Sequence, residues 1–309
     1  MNSRLNVENL RNFASGNVMA HPHSSPLTPR AVLQLGRFSL TLERPLIMGV
    51  VNVTPDSFSD GGRFLSTQQA LEHARVLIEE GADILDIGGE SSRPGAEPVG
   101  LDEELRRVMP VLEQLAPGPV PVSVDTCKPE VMRHAIAAGA AMVNDINALR
   151  EPGALEALAQ SQAAVCLMHM QGEPRSMQRD PKYEDVVAEV TTFLAQRVDS
   201  AQQAGIARER IVIDPGFGFG KNTAHNLGLL RGLRRVAGLG QPVLVGLSRK
   251  SLFGKITGKP VADRVSASVA AALLAVERGA SLVRVHDVAA TRDALLVLNA
   301  IEGHSLAKV

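Results

Sequence analysis

The chain has 309 residues, 45% of them hydrophobic, which excludes a disordered chain and allows a large buried core. Lys and Arg number 32 against 33 Asp and Glu, so the formal net charge of -1 provides no global field toward nucleic acid or a membrane surface. With no Trp and one Tyr, platforms for stacking bases are scarce, and nucleic-acid binding is not expected.

Residues 1–30 mix polar residues with "HPHSSPLTP" and are expected to form a mobile leader, His21 and His23 included. The first residues carry no apolar core of a signal peptide, so export is not expected. The longest apolar run, Val269 to Val276, falls far short of the ~20 residues of a membrane span. Cys127 and Cys166 fit neither a disulfide framework nor a CxxC metal site, and a reduced, cytoplasmic environment is the simplest reading.

Residues 31–43 alternate around Gly36-Arg37, with Val32, Leu33 and Leu35 before the turn and Phe38, Leu40 and Leu42 after it, as in a β-hairpin. From Pro45 a second rhythm takes over and runs to residue 303. Eight short apolar runs ("LIMGVVN", "ADILDIGG", "VPVSVD", "AMVND", "AVCLMH", "IVIDP", "VLVGLS", "LVRVH") alternate with segments of helical spacing. Ser66 to Glu80 is expected as a helix opened by a Ser66/Gln69 capping box and stopped at Gly81. Leu101 to Leu115 puts Leu101, Leu105, Val108, Leu112 and Leu115 on one face, with a kink expected at Pro110. Eight strand–helix units define an α/β fold, a closed (β/α)8 TIM barrel behind an N-terminal hairpin, with a doubly wound open sheet as the competitor.

Each run ends in groups that are costly to bury alone: Asn52; Glu90, Ser92 and Arg93; Asp125; Asn144 and Asp145; Met168 and His169; Asp214; Ser248, Arg249 and Lys250; Arg284 and His286. In a β/α barrel these ends share one rim, where catalytic loops lie. Helix caps and turn formers would explain Asp56, Ser59 and Asp60, but not Arg284, which sits inside a strand between Val283 and Val285.

In order along the chain, "MGVVNVTPDSFSDGG", "DIGGESSRPGA", "SVDTCKPEV", "NDINALR", "LMHMQGEP", "DPGFGFGKN", "GLSRKS" and "RVHDV" resemble the motifs of the dihydropteroate synthase family from Met48 to Val288. The resemblance implies a transferase of folate biosynthesis. It would join p-aminobenzoate to 6-hydroxymethyl-7,8-dihydropterin diphosphate and release pyrophosphate and 7,8-dihydropteroate. It assigns the pterin ring to Asp125, Asn144, Asp214 and Lys250, with Met168 and Phe219 against its faces. A carboxylate accepting paired N–H groups, an amide and a cation are what a pterin edge requires.

The diphosphate is assigned to Asn52, Ser92, Arg93, Arg284 and His286, with Asn52 as the protein ligand of Mg²⁺, although a barrel-core role for His286 stays open. Aminobenzoate is assigned to Thr54, Phe58, Arg93, Pro94, Lys250 and Ser251, and sulfonamides are expected to compete there. Asp125, Lys250 and Arg284 are the expected catalytic groups, with Asp125 steadying a cation as diphosphate leaves. A homodimer is also implied. Ser92 and Cys127 stand where the family often has other residues, and neither removes a required group. Gly216, Gly218 and Gly220 fit neither a P-loop nor a dinucleotide fingerprint and are read as close backbone approach to a flat ligand. The rival readings are a methyltetrahydrofolate:corrinoid methyltransferase-like enzyme and a non-catalytic pterin-binding paralogue.

Overall fold

The structure is a computed structural model that describes residues 32–53, 62–91 and 97–302, with the backbone alone for 62–66. A hairpin of β1 (Val32–Leu35) and β2 (Phe38–Thr41) precedes the parallel strands β3 (Leu46–Asn52), β4 (Ile84–Gly88), β5 (Val122–Asp125), β6 (Met142–Asp145), β7 (Ala164–Met168), β8 (Ile211–Asp214), β9 (Leu244–Val245) and β10 (Leu282–Val285). The helices are α1 (Gly62–Glu79), α2 (Leu101–Leu115), α3 (Pro129–Ala137), α4 (Ala154–Ala159), α5 (Val186–Gln203), α6 (Thr223–Arg231), α7 (Leu233–Ala237), α8 (Ser251–Thr257), α9 (Val265–Val276) and α10 (Val288–Ile301). Among the described residues no helix is long and apolar enough to cross a membrane.

The parallel strands follow one another in sequence, β3 pairs with β10, and β8 meets the approach to β9 through the Ile213–Val243 bridge. The ring therefore closes, as a (β/α)8 barrel requires, and the open-sheet alternative falls away. Side chains alternate across each strand, so the two faces build separate cores. The outward set, such as Val51, Ile87, Val124 and Val283, packs under the helices. The inward set Leu46, Met48, Ile84, Met142, Val212, Leu244 and Leu282 fills the lower barrel.

Leu33 and Leu35 of the hairpin join that inner cluster and are fully buried, so β1 and β2 stopper the N-terminal end. Burying each of these side chains contributes about 1.5–3 kcal/mol. Gly36 supplies the left-handed turn (φ 55°), and Arg37 fastens it by donating to the carbonyls of Ala116 (3.0 Å) and Gly118 (2.6 Å).

Two local expectations change. Helix α1 begins at Gly62, so Ser66 and Gln69 lie a turn inside it rather than at its start. Its end follows expectation: Gly81 takes φ 99°, and Ala82 N donates to Leu77 O at 2.9 Å. Helix α2 continues through Pro110 to Leu115; of its expected face it buries Val108 and Leu112, while Leu101, Leu105 and Leu115 are half-buried and Val111 is buried beside them. It also buries Glu104, which the spacing did not anticipate.

Candidate active site

The strand ends bring most of the expected residues to one rim. Gly88 is level with both Asn52 and Asp125, Asp125 with Asn144, and Met168 with Asp214. Neighbours in register on parallel strands point to the same side, so these side chains share one layer above the apolar floor. Gly88 leaves that layer open: a Cβ there would lie 3.8 Å from Asp125 Cβ and 4.0 Å from Asn52 Oδ1.

At the centre of the layer is a charge network. Arg284 Nε donates to Asp86 Oδ2 at 2.6 Å, and its Nη2 donates to Asp125 Oδ2 at 3.0 Å. Asn144 Nδ2 donates to the same Asp86 oxygen at 3.1 Å. The opposite ends of both groups, Asn144 Oδ1 and Asp86 Oδ1, are buried without a partner. Burial pushes the Asp125 carboxyl up to about 7 against the pull of Arg284. Burial alone would lower the Arg284 value, but Asp86 and Asp125 together raise it, so the guanidinium stays charged.

Across the rim, Asp214 is buried and its Oδ1 accepts from Gly216 N at 2.7 Å. Burial raises its carboxyl above the usual range. Lys250 Nζ lies 4.4 Å from the centre of the Phe219 ring and donates to Phe217 O. Burial lowers this ammonium to about 8, while Asp214 favours its charged form. Met168, Met170 and Met177 cluster with Phe219, so the pair expected against the ring faces does come together. His286 takes a different partner from Arg284: its Nδ1 lies 3.0 Å from Ser248 Oγ.

Lys250 is presented by a constrained turn. Arg249 adopts φ 56°, and its guanidinium is held by both Asp287 oxygens, with Nε at 3.0 Å from Oδ2. Ser251, the exposed first residue of α8, follows directly. Thr54, Phe58, Ser92, Arg93 and Pro94, and the leader, lie outside the described residues.

The glycine run behaves differently from expectation. A Cβ on Gly216 (φ 69°) would lie 1.9 Å from His169 O, and one on Gly220 (φ 60°) 2.3 Å from Gln171 O. These glycines therefore admit the chain's own 169–171 segment rather than a flat ligand. Gly218 makes room for Lys250, whose Cδ would be 3.0 Å from an added Cβ. Lys221 then pins the loop, donating to Gly216 O at 2.9 Å and Phe219 O at 3.0 Å.

Asp86 and Lys221 are the site groups that sequence reasoning missed. Asp86 carried a usable signal, a charge between Leu85 and Ile87 in an apolar run, the same anomaly that singled out Arg284. Near the rim Lys128 joins Glu90 and the buried Glu104, and Glu90 Oε1 accepts from Val99 N at 3.2 Å. Burial pushes the Cys127 thiol up to about 12, away from the thiolate form that nucleophilic attack needs.

Among the described residues no three His, Cys, Asp or Glu side chains gather as a metal site. Asn52 offers one neutral oxygen beside Asp125. That donor set fits Mg²⁺ carried by a diphosphate, an ion that keeps waters and takes most other ligands from phosphate oxygens.

The pterin binding enzyme family matches residues 48–286, and the chain belongs to that family. Within it, the dihydropteroate synthase of Neisseria meningitidis serogroup B is 53% identical over 279 residues, 88% of this chain and 98% of that one. A Xanthomonas albilineans dihydropteroate synthase solved with 4-aminobenzoic acid is 56% identical with TM-score 0.84, covering 88% of this chain and 98% of that one. The Burkholderia cenocepacia enzyme, complexed with 7,8-dihydropteroate, is 54% identical with TM-score 0.82 over 89% of this chain and 97% of its own.

Proposed function

We propose that the chain is a dihydropteroate synthase, a transferase of folate biosynthesis that joins 6-hydroxymethyl-7,8-dihydropterin diphosphate to p-aminobenzoate and releases pyrophosphate. The observation that carries this reading is the pairing, on one rim, of buried pterin-type acceptors with an arginine held beside Asp125. Asn144 Oδ1 is a buried acceptor without a partner, and Asp214 faces the same space from the next strand but one. The Met168 and Phe219 cluster supplies faces for a flat ring.

In this mechanism Asp214 and Asn144 hold the ring edge, and Lys250 adds a cation above Phe219. Arg284 uses Nε and one Nη2 proton on carboxylates, which leaves three N–H donors for the leaving diphosphate. The methylene C–O bond breaks with its electron pair going to the diphosphate oxygen. Asp125, in its ionised form, steadies the positive charge left on the pterin methylene. The neutral arylamine nitrogen then forms the new C–N bond and gives up a proton to solvent. Asn52 is positioned to hold Mg²⁺, which would neutralise diphosphate charge.

Ser251 and Lys250 receive the aminobenzoate carboxylate in this reading, so a sulfonamide competes with it. His286 contributes to the diphosphate side. Homodimerisation is supported by outward apolar residues on two packed helices, Leu274 of α9 with Val297 and Ile301 of α10. The small-residue face of α9, Ser268, Ala271, Ala272 and Ala275, is buried within the fold. A cytoplasmic setting is supported by two free cysteines.

The test is pyrophosphate release by purified protein given the dihydropterin diphosphate, Mg²⁺ and aminobenzoate, with the pterin product identified by mass. Aminobenzoate-dependent release with dihydropteroate formed supports the synthase; binding of pterin without release refutes it in favour of a non-catalytic paralogue.

A further inference from the structure

Asp86 is wholly buried in the middle of β4, and two assigned substrate contacts end on one of its atoms. Oδ2 accepts from Asn144 Nδ2 at 3.1 Å and from Arg284 Nε at 2.6 Å. We propose that Asp86 is a positioning residue, one carboxylate oxygen orienting both the pterin-facing amide of Asn144 and the diphosphate-facing guanidinium of Arg284. The inference rests on the synthase reading for the identity of those ligands, and on geometry for the coupling between the two groups.

The amide argument is one of direction. An Asn side chain can present either end, and its two ends carry opposite hydrogen-bonding character. A carboxylate oxygen against Nδ2 fixes the choice, because the flipped amide would set oxygen against oxygen. Asn144 Oδ1 is thereby left as a buried acceptor without a protein partner, available to a pterin N–H. Asp86 thus decides that this strand end accepts rather than donates.

The guanidinium argument is one of plane. Arg284 is held at Nε by Asp86 and at Nη2 by Asp125, carboxylates on adjacent strands β4 and β5. Two contacts on a rigid planar fork fix its orientation, where a single contact would let it swing. A purely structural reading is weak for Asp86. Its second oxygen, Oδ1, is buried with no partner, a desolvation cost that a contact kept for stability alone has no reason to carry.

The test uses full-length Asp86→Asn and Asp86→Ala, with thermal unfolding to confirm folding. Two readouts are taken: steady-state pyrophosphate release with each substrate varied, and calorimetric binding of 6-hydroxymethyl-7,8-dihydropterin, which needs no turnover. For Asp86→Ala, binding of the dihydropterin and kcat/KM for its diphosphate fall about tenfold to a hundredfold, the loss expected from hydrogen bonds to a charged group. KM for aminobenzoate stays within about twofold of wild type, since Ser251 and Lys250 are not touched by Asp86. Asp86→Asn, whose amide oxygen can take the place of Oδ2, recovers part of the loss. The double variant Asp86→Ala/Asn144→Ala binds dihydropterin no worse than the weaker single variant.

Unchanged dihydropterin binding in Asp86→Asn and Asp86→Ala, or losses that multiply in the double variant, overturns the inference. If Asp86→Ala does not fold, Asp86→Asn decides it: a folded variant with wild-type binding and wild-type KM values for both substrates overturns it. A wild-type protein that binds dihydropterin but releases no pyrophosphate sinks the synthase reading alone, and the binding arm still decides the role of Asp86.

Discussion

Lys221 Nζ lies 2.9 Å from His169 Nδ1, a lysine and a histidine buried together on the loops that follow β8 and β7. Burial, and then the lysine charge, hold His169 down to about 3, so its ring is neutral and Nδ1 accepts the proton that Lys221 offers. Burial lowers Lys221 to about 7, with Asp214 pulling the other way.

Stability should therefore follow pH through this pair. The folded His169 value lies below the unfolded one, so the unfolded chain binds the extra proton as pH falls from 6.5 toward 3, and stability is lost in that window. Each unit of separation is worth about 1.4 kcal/mol. Urea unfolding from pH 6 to 4 should show a shallower loss in His169→Gln than in wild type; equal slopes would contradict the assignment. For Lys221 the unfolded chain again binds more protons between about 7 and 10.5, so wild type gains stability with rising pH there and Lys221→Met does not.

Asp125→Asn should leave the fold intact and lower kcat for pyrophosphate release by about 100-fold or more, the usual cost of removing one electrostatic stabiliser of a transition state. The carboxylate is half-buried against Arg284, and its amide replacement keeps shape but not charge. Single-turnover mixing with both substrates reads this directly. Retained pterin binding and retained turnover would remove Asp125 from the mechanism.

Arg284→Lys keeps the charge but not the fork. A single ammonium cannot span Asp86 and Asp125 in one plane as Nε and Nη2 do. The expected loss in kcat/KM for the pterin substrate is about 100-fold, measured with aminobenzoate saturating, with little change in KM for aminobenzoate.

Two glycines make a paired stability test. Gly216→Ala forces a left-handed residue and puts Cβ 1.9 Å from His169 O, whereas Gly258→Ala meets nothing within 4 Å at φ 71°. The second should cost about 1–2 kcal/mol for the backbone alone. Urea unfolding should show Gly216→Ala losing several kcal/mol more, or not folding at all. Comparable losses would mean that the loop yields at Gly216.

The barrel was legible because its rule is local. Each run from "LIMGVVN" to "LVRVH" contains one of the parallel strands, and the hairpin alternation about Gly36-Arg37 is seen as β1 and β2. The rim was legible for a related reason: Asp125, Asn144, Asp214 and Arg284 are polar groups at or near the ends of apolar runs. What stayed hidden depends on partners far along the chain. Glu104 is buried on α2 because Lys128, 24 residues on, reaches it. Gly216 and Gly220 are glycine because the 169–171 segment passes close by, which no spacing records. Asp86 escaped because its worth lies in Arg284, 198 positions away. The misplaced start of α1 reflects an ordinary limit, since a Ser-x-x-Gln pattern inside a helix reads the same as one at its start.

The hairpin stopper, Leu33 and Leu35 packed into the lower barrel, closes that end among the described residues and leaves the rim as the open one. Traffic through one end has an order. Asn144 and Asp214 are buried, whereas Ser251 is exposed, so on the proposed function the expected order is pterin first and aminobenzoate second. On the same reading the condensed product, held by its pterin end, is expected to leave last, and a compound lodged at the threshold is expected to hold back whatever lies below it.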